Sequence, residues 1–447
     1  MLRKAHLLII IFTILLAHNT FAGGFALQEQ SGEGVGVAFA GATAGYGDGS
    51  SAYFNPAAMA GIDGTQFSAS GHIISTSADF KNTGSSLVPA LGGSPIIGTD
   101  GGDAGGTFFV PNVYAIHPIN ERLTFGFGLN APFGLETDHD AGWVGRYQAL
   151  KSELTVINLN PALSYEFTDQ FSVGVAARVM YLDATLTNAV DFGSVGVSSL
   201  GLPTASALGL LPQSADGHAR VEGDDWTTGF TVGGNYRYGE SNENSLGLSW
   251  RNKVSADLEG SAEFTVPTSA LALTSTGAFT NTDVTAGVTL PEAITAGWRH
   301  WMTDDFALLA EAEWTRWSRF NELRVNFASV QPDSVTDESW ENTWRVALGG
   351  MYKVTEDLTL KAGWSYDQSP IPDAAHRTPR IPDNDRNWLS LGLGYQLTEN
   401  LAANLSYAHI FVRDGSSATA GSTGDVFVGD WDAHVDIVAA NIIWNIG

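Results

Sequence analysis

Three histidines, His300, His409 and His434, and two spaced aspartate pairs, Asp100/Asp103 and Asp383/Asp385, are the side chains whose types could do chemistry. A histidine supports hydrolysis when a serine and an acid, or a pair of acids, stands beside it. These three fall in alternating apolar segments without an evident nucleophile partner, so a barrel hydrolase is kept only as an alternative. The aspartate pairs offer the oxygen ligands that calcium takes, but solvated loop acids are the simpler reading and no metal site is assigned. The chain has no cysteine, which removes disulfides, thiolate metal sites and a thiol nucleophile. No GxxxxGK[ST] loop is present to cradle a nucleotide phosphate. The expectation is a non-enzyme that needs no cofactor. With 22 Lys+Arg against 48 Asp+Glu, the net charge of −26 also argues against a nucleic-acid partner.

The elements that carry these residues follow from the N-terminus onward. Arg3 and Lys4 precede an apolar run from Leu7 to Leu16, and Thr20-Phe21-Ala22 supplies small residues at a cleavage site. Residues 1–22 therefore read as a secretory signal peptide. The apolar run is about ten residues, half of what a spanning helix needs. No later stretch reaches that length. A mean hydropathy of −0.01 still permits a membrane protein, because barrel strands hide their apolar face by alternation.

Alternation runs through most of the chain. Leu389, Leu391, Leu393, Tyr395 and Leu397 share one face, while Ser390, Gly392, Gly394 and Gln396 share the other. Leu123, Phe125, Phe127 and Leu129 alternate with Thr124, Gly126, Gly128 and Asn130 in the same way. Successive strand side chains point to opposite faces, so each segment has one oily and one modest side. About fourteen such segments occur, from Gln66–Ser75 and Arg122–Ala131 through to Trp431–Ile446. Short polar turns such as Thr168-Asp169 and Thr355-Glu356 alternate with long loops rich in Gly, Ser, Pro and Asp. That asymmetry predicts an all-β, antiparallel transmembrane barrel over residues 66–447, with lipid outside and a polar lumen holding Arg299, Glu311, Glu313, Arg345 and Lys361. Trp250, Trp298, Trp314, Trp317, Trp364, Trp431 and Trp444 are candidates for the interfacial girdles.

Residues 23–65 are small, glycine-rich and weakly periodic, which suits a plug lying in the lumen; a periplasmic tail is the plainer alternative. Asn55-Pro56-Ala57 marks a defined turn there. Two long loops carry apolar residues that water-exposed loops avoid: Leu200, Leu208 and Leu211 in one, Leu271 and Leu273 in the other. They mark either a ligand-capturing surface or mutual packing of the loops.

An ordered series of motifs spans nearly the whole chain after residue 22. It includes GFALQEQ (Gly24–Gln30), Asn55-Pro56-Ala57, Val110-Pro111-Asn112, GWVGRY (Gly142–Tyr147), NLNP (Asn158–Pro161) and IPDNDRNWLS (Ile381–Ser390). In these the sequence resembles the FadL family of outer-membrane transporters of long-chain fatty acids or aromatic hydrocarbons. The resemblance implies a Gram-negative outer-membrane monomer in contact with lipid and lipopolysaccharide, with a fourteen-stranded barrel and an N-terminal hatch. It implies passive uptake of a hydrophobic small molecule, fatty acid or neutral hydrocarbon. The ligand would be captured on the loops, pass a moving hatch, and leave sideways through a kink near Pro132-Phe133-Gly134. It further implies that Phe25 touches the ligand pocket, that Asn55, Pro56 and Ala57 form the hatch turn, and that Asp367 is the hatch's barrel partner. Arg386, helped by Arg377, would be the cation near the ligand head group, unless these arginines are paired with carboxylates such as Glu311 or Asp385. The chain departs from the family at two pocket positions, where Asn188 and Thr336-Asp337 stand in place of basic residues; this leaves a neutral ligand open.

Overall fold

Lipid on one side and a filled lumen on the other explain the strand pattern of the computed structural model, which describes residues 23–446. The signal-peptide expectation, 1–22, lies outside the described residues. Fourteen antiparallel strands close into a barrel. They are β1 (Thr65–Asn82), β2 (Thr107–Pro118), β3 (Leu123–Asn130, resumed at Gly134–Asp138), β4 (Lys151–Thr168), β5 (Phe171–Asp191) and β6 (Asp216–Tyr238). The wall continues with β7 (Asn244–Arg251 and Val254–Thr265), β8 (Thr282–Leu290 and Ala293–Trp301), β9 (Phe306–Thr315 and Glu322–Phe327) and β10 (Ser334–Asp337 and Thr343–Lys353). It ends with β11 (Leu358–Asp367), β12 (Arg386–Thr398), β13 (Leu401–Val412 and Gly415–Ala420) and β14 (Asp425–Ile446). Closure runs from Thr65↔Ile446 to Asn82↔Gly429 between β1 and β14, so no edge is left unpaired there.

The two faces separate as the alternation requires. On β12, Leu391 is 64% exposed while its neighbour Ser390 is 3% exposed. Leu248, Leu348 and Leu405 likewise point outward, and no protein covers them. Strands on the long-loop side run further than the sequence pattern indicated: β1 reaches Asn82 rather than Ser75. Beyond the lipid both faces meet polar surroundings, so the alternation fades while the hydrogen-bonded ladder continues. The tryptophan girdle needs a correction. Trp250, Trp364 and Trp444 are exposed on the outer wall, but Trp317 and Trp431 are buried inside, where Trp431 packs with Phe80, Trp143 and Phe427.

Residues 23–62 lie within the wall and are almost entirely buried. Their backbone carbonyls, which form no ladder of their own, are satisfied by inward side chains of distant strands. Asn112 donates to Glu29 O (2.7 Å), Ser406 to Gly32 O (2.7 Å), Asn160 to Ala52 O (2.7 Å) and Ser245 to Ala44 O (2.6 Å). Thr43 donates through its hydroxyl to Glu311 (2.5 Å), and Lys361 pairs with Glu33 (3.0 Å). Buried backbone groups demand such partners. The wall's glycines make room: a β-carbon at Gly247 would strike the Thr43 carbonyl, and one at Gly363 would strike that of Val37.

Candidate functional site

β3 is broken where Pro132 removes a ladder donor. Its first piece pairs with both neighbours, up to Val113↔Leu129 on β2 and Asn130↔Asn158 on β4. After residues 131–133 the strand resumes, paired with β4 alone from Gly134↔Thr155. Residues Thr107–Asn112 of β2 then pair with β1 but with no strand on the other side. The N-terminal segment takes up the freed bonds from inside. Leu27 N donates to Pro132 O (2.9 Å), Gly134 N donates to Phe25 O (3.0 Å), and Ala26 bridges Phe133. Pro132, Phe133 and Gly134 thus coincide with an interruption of the wall, backed by the segment rather than by a strand.

Phe25 is 2% exposed and sits in an aromatic box. Its ring centroid lies 4.9 Å from Trp317, 5.4 Å from Phe320, 5.6 Å from Trp340 and 6.0 Å from Phe133. Above it opens a cavity with about 720 Å³ of atom-free space, counting its open mouth. The wall is apolar, with Phe25, Leu135, Leu154, Leu258, Phe320 and Ile381 prominent, and its only charged lining residues are Glu153 and Glu222. A second, smaller hollow of about 380 Å³ lies on the other side of the segment, bounded by Ala26, Leu27, Pro132 and Phe133 and by the charged groups of Arg178, Arg251 and Glu313. Arg251 and Glu313 are paired at 2.8 Å. Phe25 lines the first space, and the adjoining Ala26 and Leu27 line the second.

The remaining expected residues divide between this centre and its supports. Asn55 is fully buried; its Oδ1 accepts from Ala57 N (3.1 Å) and its Nδ2 donates to Thr43 O (2.8 Å) and Gly234 O (3.1 Å). It caps the short 3₁₀ turn Pro56–Gly61 in the way an N-cap side chain does. Ala57 O accepts from Ser172 (2.8 Å) and Ser164 (3.1 Å). Asp367 abuts the start of the segment, since a β-carbon on Gly23 would lie 2.9 Å from both of its oxygens. Arg386 is buried and ion-paired to Asp383, whose other oxygen accepts from Gly24 N (3.0 Å). Arg377 donates to Asp383 O (2.9 Å) and Ser416 O (2.7 Å). Neither arginine reaches the cavity wall: both hold the start of the segment and the loop over it. The carboxylate partner of Arg386 is Asp383, in place of Glu311 or Asp385, and Arg377 is held by backbone carbonyls.

The two leucine-rich loops meet. The helices Phe192–Leu200 and Leu202–Ala207 pack on the 3₁₀ turn Thr268–Thr276 through Phe192, Leu210, Ala270 and the half-buried Leu273. Leu200, Leu208, Leu211 and Leu271 remain exposed at the tip. Mutual packing and an exposed apolar surface therefore coexist. Of the histidines, His409 pairs with Asp436 (2.8 Å) and His300 meets the Tyr238 hydroxyl (3.2 Å). Among the described residues no serine hydroxyl bonds to either imidazole. Trp340, Phe320 and Leu135 were not anticipated from sequence; the one available signal was the closeness of Leu135 to the Pro132 break.

A model of the outer membrane protein transport protein family (OMPP1/FadL/TodX) matches residues 13–444. The chain belongs to this family. It is 30% identical over 403 residues to the 47 kDa outer membrane protein of Pasteurella multocida, covering 89% of each chain. It is 28% identical over 414 residues to the long-chain fatty acid transport protein of Escherichia coli, covering 88% of this chain and 89% of the relative. The crystal structure of a FadL homologue from Pseudomonas aeruginosa superposes with a TM-score of 0.85 at 26% identity, covering 95% of this chain and all of that one. With family, barrel and outward apolar band in agreement, the chain is a Gram-negative outer-membrane β-barrel of a transport family.

Proposed function

We propose that this barrel takes up hydrophobic small molecules passively, long-chain fatty acids first among them, and that residues 23–64 are its hatch. The observation that carries the reading is the partition. An apolar cavity is lined by Phe25, and a hollow at the broken β3 is lined by the next two hatch residues, Ala26 and Leu27. These three are tied to the wall by a few backbone bonds. A ligand captured at Leu200, Leu208, Leu211, Leu271 and Leu273 descends into the cavity. Displacement of Phe25–Leu27 opens the route to Pro132–Gly134, and the ligand leaves sideways into the membrane. Burial of the ligand's own chain drives the early steps, at about 0.8 kcal/mol per methylene. The absence of any cation among the cavity's lining residues favours a second reading, uptake of neutral or aromatic hydrocarbons by the same route.

The test exploits the missing cysteines. A cysteine pair at Ala26 and Phe133, which face each other across a β-bridge, should close to a disulfide that fixes the partition. In cells lacking their own transporter, uptake of labelled oleate or toluene should stop on oxidation and return on reduction. Unchanged uptake through the oxidised protein would overturn the route.

A further inference from the structure

The strand beside the break keeps an open backbone edge at lipid depth. Just before β2, Thr76 N donates to Gly106 O (2.8 Å) and Ala104 N donates to Ala78 O (3.0 Å). Both pairs continue the register of β1 on β2, so the even-numbered residues of β2 turn their backbone groups to β1. At the far end Ile119 N donates to Leu123 O (2.8 Å), in register with Val113↔Leu129 and His117↔Phe125. The odd-numbered residues therefore turn to β3. Continued upward, that register would set Pro111 opposite Ala131 and Phe109 opposite Phe133, and neither pairing forms. Instead Ala131 O accepts from Gln30 Nε2 (2.8 Å), and Ala26 bridges Phe133.

Among the described residues, no backbone or side-chain group bonds to Phe109 N–H, Phe109 C=O or Pro111 C=O. Pro111 has no N–H to leave unpaired. The Phe109 ring, 47% exposed on the outer wall, stands opposite Ile73, 51% exposed. One outward step further, the hydroxyls of Thr107 and Ser75 meet at 3.2 Å and begin the polar rim. Phe109 and Pro111 thus lie within the apolar band, where hydrocarbon offers no partner to a backbone donor or acceptor. A proline in an edge also stands against capture of a further strand. The residues that would have faced this edge, Pro132 and Phe133, line the smaller hollow.

We propose that the open edge of β2 is a binding site for the polar head of the departing ligand, made of Phe109 N–H, Phe109 C=O and Pro111 C=O. On a strand the N–H and C=O of one residue point the same way. Together they match a head that both accepts and donates, a protonated carboxyl or a hydroxyl. Two carbonyls repel a carboxylate, so the edge takes the head in its uncharged form, the form that hydrocarbon tolerates. This rests on the transport reading and names the chemistry of its last station.

The test compares uptake of labelled oleic acid, oleyl alcohol and toluene in cells lacking their own transporter. Phe109→Pro removes the edge N–H and no ladder bond, since that N–H faces away from β1. It should slow the acid and the alcohol by about twofold to tenfold, the worth of one hydrogen bond, and leave toluene unchanged. Phe109→Leu keeps both backbone groups and should leave all three unchanged. If the proline variant lacks the heat-shifted gel band of a folded barrel, the wild-type protein in detergent decides through isotope-labelled phenylalanine amides. Oleyl alcohol should then shift the Phe109 resonance and slow its hydrogen exchange, without moving that of Phe108. Equal slowing of toluene, undiminished uptake of acid and alcohol, or a Phe109 amide already protected without ligand overturns the site. A wild-type barrel that takes up none of the three compounds removes the transport reading itself, and the site with it.

Discussion

Asp383 and Glu338 show how differently two buried acids of one lumen are used. Asp383 is saturated: one oxygen faces Arg386 and the other accepts from Gly24 N and from Ser369 Oγ (3.1 Å). It ties hatch to wall through a charge pair whose rupture is costly. Among the described residues the Glu338 carboxyl has only the Trp340 indole as a hydrogen-bond partner, and burial outweighs both that bond and the pull of Arg380. Its carboxyl is raised from 4.5 to about 8, so the folded protein binds this proton more tightly than the unfolded chain does. Stability from this group is present below the ordinary glutamate range and is lost as pH climbs towards 8. Denaturant titration of the folded barrel at a series of pH values should therefore show its stability falling between pH 6 and pH 9. Glu338→Gln should abolish that pH dependence; a wild-type profile flat from pH 6 to pH 9 would contradict it.

The hatch and the strands differ in why they hold their shapes. A strand here is set by its two solvents, so Leu389–Leu397 and Leu123–Leu129 could be placed from alternation alone, and the break in β3 was visible in Pro132. The course of the hatch was not visible, because its contacts are remote in sequence: Thr43 bonds Glu311 and Gly32 bonds Ser406. Only its small residues hinted that something must fit a confined space. Arg386, inside a recognisable motif, drew attention, and it is ion-paired to Asp383. The helix Phe192–Leu200 escaped because its Gly- and Ser-rich stretch carries no pattern of 3.6. At this scale the glycines opposite the hatch make a prediction. Gly247→Val places methyl groups against the Thr43 carbonyl, where the backbone has no room to yield. The barrel should still form and shift on heating, but hydrogen exchange across residues 40–46 should rise and the cells should leak small hydrophilic solutes. Unchanged exchange would mean that the contact is looser than the geometry shows.

The whole molecule is a wall with two unlike contracts, one to lipid and one to the hatch, written on alternate residues of the same strands. Leu405 and Ser406 state the contrast on β13. Leu405 is 58% exposed with Leu393 opposite it on the neighbouring strand. Ser406 is 2% exposed and donates to Gly32 O at 2.7 Å. A charge on the lipid side must be carried into hydrocarbon, which costs about 2–4 kcal/mol for an arginine near the midplane of an outer-membrane barrel. Leu405→Arg should therefore lower the free energy of folding into lipid vesicles by that amount, read from denaturant titration of the heat-shifted band. Removing the Ser406 hydroxyl leaves the lipid contract untouched and takes one hydrogen bond from the hatch, worth about 1 kcal/mol. Ser406→Ala should leave the vesicle titration of the barrel nearly where it was and raise exchange only around Gly32–Gly36. If both substitutions shifted the titration alike, the two faces would share one environment, and the separation between wall and hatch on which the proposed uptake depends would not exist.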